Sequence, residues 1–425
     1  MARLPLGIHA WRWLGIAMTP LAPLLLRERA ARGKEDRSRM GERLGMTNVP
    51  RPDGRLVWVH GASVGESVAA LPLIEKLIAE DIRVLVTSGT VTSAGMMQAR
   101  LPEGAIHQYV PLDTPRAAAR FLDHWRPDAG LFVESDLWPN LLLEAQRRGV
   151  KLALINARIS ERSAAGWKRA PGMARTLLGV FDVILAQDED FAARFRVLGA
   201  RNVSVAGSLK ADAPPLTCDQ AALTAMKDAI GSRPLLLAAQ THPGEDETIL
   251  PAHDILRARF PDLLTIIVPR HVERGADIVM LCGSRSCARR STGAPITPDT
   301  AIYIADTMNE LGLFYRLPSF CFLGGTLVAM QGHNPLEPAV LGCAILAGPS
   351  RANSAGAFEA VLKAQGFGDV HASGDIAREA ERLLSNPAIA QAAGQAASWG
   401  AASLSGAVTK TIAALKSLVG QDARA

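Results

Sequence analysis

The sequence predicts an α/β protein built from two doubly wound halves, and three features predict it. Short, nearly continuous apolar runs alternate with helical stretches from Leu56 onward. The same rhythm restarts after a turn-rich stretch, Asp212-Ala213-Pro214-Pro215-Leu216-Thr217. The 425 residues are 48% hydrophobic and 20% charged, enough for two ordinary cores.

The first-half runs are Leu56–His60, Val84–Thr87, Leu131–Glu134, Leu152–Ile155, Val183–Ala186 and Val203–Val205. Those of the second half are Leu235–Ala238, Leu263–Val268, Ile302–Ile304, Phe320–Leu323 and Ala344–Ala347. Apolar strands separated by helices form parallel sheets covered on both faces. Two such halves facing a cleft place ligands at the carboxyl ends of their strands. The predicted organisation is an N-terminal segment 1–45, a first Rossmann-like domain 46–211 and a second one 212–425. The Ala-rich tail from Asn386 to Val419 reads as helical and is assigned to the second domain.

The segment before the first strand carries its own signal. Trp13 to Leu26 contains no charged residue, and between Arg27 and Arg43 seven Lys or Arg residues face four acids. As a helix the apolar run reaches roughly 21 Å at about 1.5 Å per residue, short of the roughly 30 Å of a bilayer core. Extension back to Leu4 adds His9, Arg12 and Pro5, with Pro20 and Pro23 already inside. No small-residue cleavage site follows, which argues against a signal peptide. A spanning helix, an in-plane anchor with Trp11 and Trp13 at the interface, and a helix packed on the body remain as readings; the prolines favour the anchor. The segment is therefore expected to attach the chain to an anionic membrane surface, with the body on the cytoplasmic side.

Net charge is +5, a mild value that implies no nucleic-acid partner by itself. The five cysteines are scattered with no Cys-x-x-Cys pair, which points away from disulfides and zinc and toward a reducing compartment. No Walker A or dinucleotide fingerprint is present, and Asp188-Glu189-Asp190 opens a helix, where acids are expected without a metal.

Candidate chemistry gathers at strand ends. His60-Gly61-Ala62-Ser63-Val64-Gly65-Glu66 runs from strand through a glycine corner into a helix. Ser63-x-x-Glu66 is a capping box, and Glu66 is also a carboxylate able to take a proton from a hydroxyl. The same residues match G-x-S-x-G, the nucleophile elbow of serine hydrolases, with Ser63 as nucleophile. Nothing upstream resembles the unit that carries an oxyanion hole. Glu134 begins a second acidic cluster, Glu134 to Asn140, that suits hydroxyl recognition. In the second half, Arg270 and His271 end an apolar run, and Arg suits phosphate. Gly324-Gly325-Thr326 offers close backbone approach. Asn334 caps a helix with Pro335 at its first position and Glu337 in its first turn, a phosphate and ribose site.

Taken together, His60 to Glu66, Glu134 to Asn140, Asn156 to Ser160, Gly207 to Lys210, Pro269 to His271 and His333 to Pro338 resemble the 3-deoxy-D-manno-octulosonic acid (Kdo) transferase family. The resemblance runs over nearly the whole chain, in order, and extends to Arg32-Gly33-Lys34-Glu35 and Glu42-Arg43-Leu44-Gly45. It implies a GT-B fold and inverting transfer of Kdo from CMP-Kdo to a lipid A precursor, with no catalytic metal or cofactor, at the cytoplasmic face of the inner membrane. It implies that Glu66 is the general base, that Glu134 and Ser63 lie on the acceptor side, and that Lys210 and Arg270 hold the CMP phosphate. His271, Gly325, Thr326 and Asn334 join the donor site, and Glu337 matches the acid at the ribose. The sequence departs from the family at Asn309 and Gln331, where glycine is usual, and at Gln240, where serine is common. The rival enzyme class is another GT-B nucleotide-sugar enzyme, such as an epimerase.

Overall fold

Apolar strands that are buried on both faces form two parallel sheets in the computed structural model, which describes residues 4–420. The chain divides into a first unit, Met1–Ala213 with Ser405–Ala425, and a second unit, Pro214–Leu404. Strands of the first are β1 Leu56–His60, β2 Arg83–Ser88, β3 Ala105–Tyr109, β4 Ala129–Val133, β5 Lys151–Ala157, β6 Val183–Ala186 and β7 Val203–Val205. They lie in the order β3-β2-β1-β4-β5-β6-β7, and every pairing is parallel.

The second sheet comprises β8 Leu235–Thr241, β9 Leu264–Pro269, β10 Cys287–Arg289, β11 Ile302–Ile304, β12 Phe320–Leu323, β13 Ala344–Ala347 and β14 Phe367–Asp369. Its order is β10-β11-β9-β8-β12-β13-β14, again all parallel. In both sheets the order reverses beside the first strand, so the connections leaving β1 and β4, or β8 and β12, run to opposite sides of the sheet. Trp58, Phe132, Phe195 and Phe322 are among the largest fully buried side chains. Burial of each such residue contributes roughly 1.5–3 kcal/mol.

Sequence periodicity missed β3, β10 and β14, and all three are edge strands. Edge strands bury less, so their sequences lack an apolar run: β3 reads Ala-Ile-His-Gln-Tyr, with its first three residues half-buried.

The C-terminal tail corrects the predicted second domain. Helix Pro387–Ala402 packs on the second unit, but helix Ala407–Val419 belongs to the first. Its Ile412 and Leu415 join the first-unit core with Leu73, Leu77 and Leu209. Asp212 holds its start: the carboxylate accepts from Gly406 N and Val408 N, both at 2.6 Å. That return was invisible to composition, because an Ala-rich helix does not encode which sheet it covers.

The N-terminal segment is two helices, Leu6–Met18 and Ala22–Ala31, broken at Thr19-Pro20-Leu21. No helix among the described residues is long and apolar enough to cross a membrane. One face packs on the first unit through Ile8, Ala22 and Leu26. Gly15 permits the approach: a Cβ there would meet Pro115 at 3.0 Å and Asn140 at 3.1 Å. The Trp11 indole N–H donates to Asp113 at 2.7 Å. Leu6, Trp13, Leu14, Ile16, Leu21, Leu24 and Leu25 are exposed. The basic run is largely internal, since Arg29, Arg32, Arg39 and Arg43 pair with Glu35, Glu28, Glu42 and Glu35 respectively. Arg27, Lys34 and Arg37 are exposed.

Asp212→Ala should lower stability by about 1 kcal/mol, the usual worth of a side-chain cap. Amides at the start of Ala407–Val419 should then exchange faster, and unchanged exchange would remove Asp212 as the tether of this helix.

Candidate active site

The turn after β1 is built by its own hydrogen bonds. Gly61 N donates to Thr87 O of the neighbouring strand at 3.1 Å. A Cβ on Gly61 would fall 2.9 Å from Ser67 N, so only glycine fits that corner. Ser63 caps helix Val64–Ala69 by accepting from Glu66 N at 3.3 Å. The Ser63 hydroxyl also donates to Glu66 Oε1 at 2.8 Å, and Glu66 Oε2 accepts from Ala62 N at 2.8 Å. The capping box is therefore closed one residue earlier than expected, on Ala62. Each carboxylate oxygen retains lone-pair capacity for a further proton. Ser63 is exposed and engaged with a carboxylate, not with a histidine, which is poor geometry for the serine nucleophile.

Glu134, at the end of β4, is buried and accepts from Arg158 Nε at 2.7 Å. Burial raises its carboxyl; Arg158 and Lys210 oppose this, and Glu66 adds to it. Asp136 is pushed up to about 6, first by burial, then by the charges of Glu66 and Glu134. Glu66, Glu134, Asp136, Arg158 and Lys210 thus form one electrostatic group in the first unit. His60, fully buried, contacts Thr87 Oγ1 through Nδ1 at 2.9 Å and is lowered to about 4 by desolvation. Lys210, which the resemblance groups with Arg270 at the phosphate, lies in the first unit, as the predicted bounds 46–211 have it, and Glu134 feels its charge.

In the second unit the organising residue is one that sequence reasoning passed over. Glu245 is completely buried and accepts four backbone amides: His242 at 3.0 Å, Gly325 at 2.7 Å, Thr326 at 3.0 Å and Leu327 at 3.0 Å. Burial raises its carboxyl and the amides pull it back only in part. Gly325 and Thr326 are two of the residues expected in the donor site. Their amides serve an internal carboxylate, and the buried Thr326 hydroxyl donates to Leu323 O and accepts from Gly348 N. They hold the loop's shape, and these two amides are already engaged within the protein. The Gly244-Glu245 pair after β8 was the available signal, because a carboxylate in a strand-end loop implies amides to satisfy.

Arg270 and His271 are exposed just past the apolar run of β9. Asn334 Oδ1 accepts from Leu336 N at 3.2 Å, but the helix it precedes, Leu336–Ala339, is a single turn. Glu337 accepts from Gln240 Nε2 at 3.3 Å, and the same Gln240 amide donates to Tyr315 Oη at 3.2 Å. His242 and His333, also passed over, meet through their Nε2 atoms at 2.9 Å.

Five non-glycine residues at these strand ends and loops have left-handed backbone: Glu134 (φ 67°), Asn156 (49°), Gln240 (58°), Asn309 (64°) and Gln331 (63°). Asn309 and Gln331 are the positions where the resemblance expects glycine, so this chain retains a glycine-like backbone with side chains present. Such strain gathers at functional sites. Among the described residues no group of three His, Cys, Asp or Glu is arranged to hold a metal ion.

The geometry is matched by ancestry. The family described as 3-Deoxy-D-manno-octulosonic-acid transferase (kdotransferase) matches residues 38–213. A 3-deoxy-D-manno-octulosonic acid transferase of Rickettsia bellii is 32% identical over 382 residues, 89% of this chain and 91% of the relative. The chain belongs to the Kdo transferase family. A probable mitochondrial Kdo transferase of Arabidopsis thaliana is 33% identical, covering 90% of each chain. A solved putative UDP-N-acetylglucosamine 2-epimerase from Listeria monocytogenes superposes with TM-score 0.59 at 15% identity, covering 86% of this chain and 96% of its own. That likeness shows the fold, GT-B. Kdo transfer in lipopolysaccharide synthesis is accordingly the family activity of this enzyme, a glycosyltransferase.

Proposed function

We propose that this Kdo transferase moves Kdo from CMP-Kdo to a primary hydroxyl of a lipid A precursor, with inversion and with Glu66 as general base. The observation that carries this reading is the double engagement of Glu66 by Ala62 N and Ser63 Oγ, which fixes the carboxylate at the carboxyl end of β1. Glu66 removes the hydroxyl proton, and the oxygen attacks the anomeric carbon of Kdo. The bond from that carbon to the phosphate oxygen breaks, and its electron pair leaves with CMP. Arg270 counters the phosphate charge, a role that preorganised cations fill well. The family resemblance adds Lys210 to that task, and Glu337 to the ribose. Glu134, held by Arg158, recognises acceptor hydroxyls.

The exposed apolar ridge of Leu6–Met18 and Ala22–Ala31 lies in the interface of an anionic membrane at the cytoplasmic face of the inner membrane. Trp13 and Leu24 are 68% and 65% exposed there. Water contact of that much apolar surface on one ridge favours a lipid neighbour.

Incubation with CMP-Kdo and lipid A precursor, followed by mass spectrometry of the lipid, should show Kdo addition by the wild type. Glu66→Gln should lose transfer by at least about 100-fold, the scale of general-base catalysis, while CMP affinity stays within about twofold. Retained turnover would remove Glu66 as base. Transfer from UDP-sugars in place of CMP-Kdo would favour the rival donor class. In flotation with vesicles containing anionic phospholipid, the wild type should rise with the lipid and a Trp13→Glu/Leu24→Glu variant should stay in the dense fraction. Equal flotation of the two would move membrane contact elsewhere.

A further inference from the structure

His242 directly follows β8, and His333 packs over Gly325, where a Cβ would come within 3.2 Å of the imidazole ring. Their rings are parallel to within 7°, with Nε2 atoms 2.9 Å apart. Two imidazole nitrogens at this separation hold one proton between them: one Nε2–H donates and the other Nε2 accepts. This is true whichever ring carries the proton.

The pair sits in a field of cations. From the end of β9 come Arg270 and His271, the latter edge-on to His242 with centroids 5.9 Å apart. From the following turn comes Arg274, whose charge is taken up by Asp246. The loop after β8 supplies Glu245, already occupied by four amides. Beyond Gln240 stands Glu337, which accepts from that residue. Burial is the largest force keeping both rings neutral. His242, Arg270 and His271 add to it at His333, holding it at about 4, and His271, Arg270 and Arg274 add to it at His242, holding it below its ordinary value.

We propose that the His242–His333 pair takes up one proton when a phosphate binds beside Arg270 and His271, and so counters charge that builds on the phosphate during transfer. The proposal rests on the donor reading above. The bound anion offsets the cationic field that disfavours protonation, and the pair becomes an imidazolium sharing its proton with an imidazole. As the bond from sugar carbon to phosphate oxygen breaks, the electron pair stays on the phosphate and its charge grows. The proton that meets it on the pair comes from solvent, so no further reactant is required. A nucleotide leaving as a phosphate monoester is thereby favoured over the bound diester.

Calorimetric titration of the full chain with CMP, in two buffers of different ionisation enthalpy at pH 7, counts the protons. The wild type should take up a larger fraction of a proton than His333→Gln or His242→Gln, with thermal melts confirming that both variants are folded. Cytidine, which lacks the phosphate, should give no such difference. Above pH 7, wild-type CMP affinity should fall by up to about tenfold per pH unit, the limit for one linked proton, and the variants should be flatter. Equal proton counts in wild type and variants would overturn the pair's role while leaving the donor reading intact. Should a variant not fold, absence of uptake by the wild type alone has the same force. Failure of the wild type to bind CMP would remove the donor reading and this inference together.

Discussion

At the carboxyl edge of a fully parallel sheet the hydrogen-bond ladder ends while the backbone is still buried, and each amide released there must find another acceptor. This protein meets the demand with carboxylates. In the first unit Glu66 accepts Ala62 N and is held by Ser63. In the second, Glu245 gathers four amides from two loops, joining the chain after β8 to the chain after β12. Hydrogen bonds to an ionised group contribute roughly 1.5–3 kcal/mol each, so four of them compete with the desolvation of one carboxylate. The two acids differ in one respect that decides their roles. Glu245 is sealed from solvent, whereas Glu66 is partly exposed, as its proposed role as base requires.

Left-handed backbone also occurs at strand ends in both units. Gln240 lies at a register shift between β8 and β9, and its side chain links Tyr315 to Glu337. Asn156 lies at a similar shift between β5 and β6, and its side chain accepts from Leu209 N beside Lys210. Asn309 and Gln331 hold a left-handed backbone of the kind glycine adopts most readily. Asn tolerates that conformation better than Gln, since its short amide bonds locally.

The central strands and the turn at Glu66 were legible in the sequence, because burial on both faces leaves continuous apolar runs and capping leaves Ser-x-x-Glu. Edge strands β3, β10 and β14 carry no such run. The destination of helix Ala407–Val419 depends on the Asp212 contact, which no local pattern records. The engagement of the Gly325 and Thr326 amides was hidden from the sequence for a single reason. A glycine-rich strand end reads as an open amide cradle, and only the position of Glu245 shows that the cradle is already filled. His242 and His333 are 91 residues apart, and neither shows in sequence that it faces the other.

Nucleotide recognition by the second unit and proton removal by the first, as proposed, are tested most directly by hydrogen exchange with CMP. Saturating CMP should slow exchange in segments 268–274 and 331–338 of the second unit and leave the Gly61–Glu66 turn unchanged within error. Protection of Gly61–Glu66 with no change around Arg270 would contradict the assignment of the donor to the second unit.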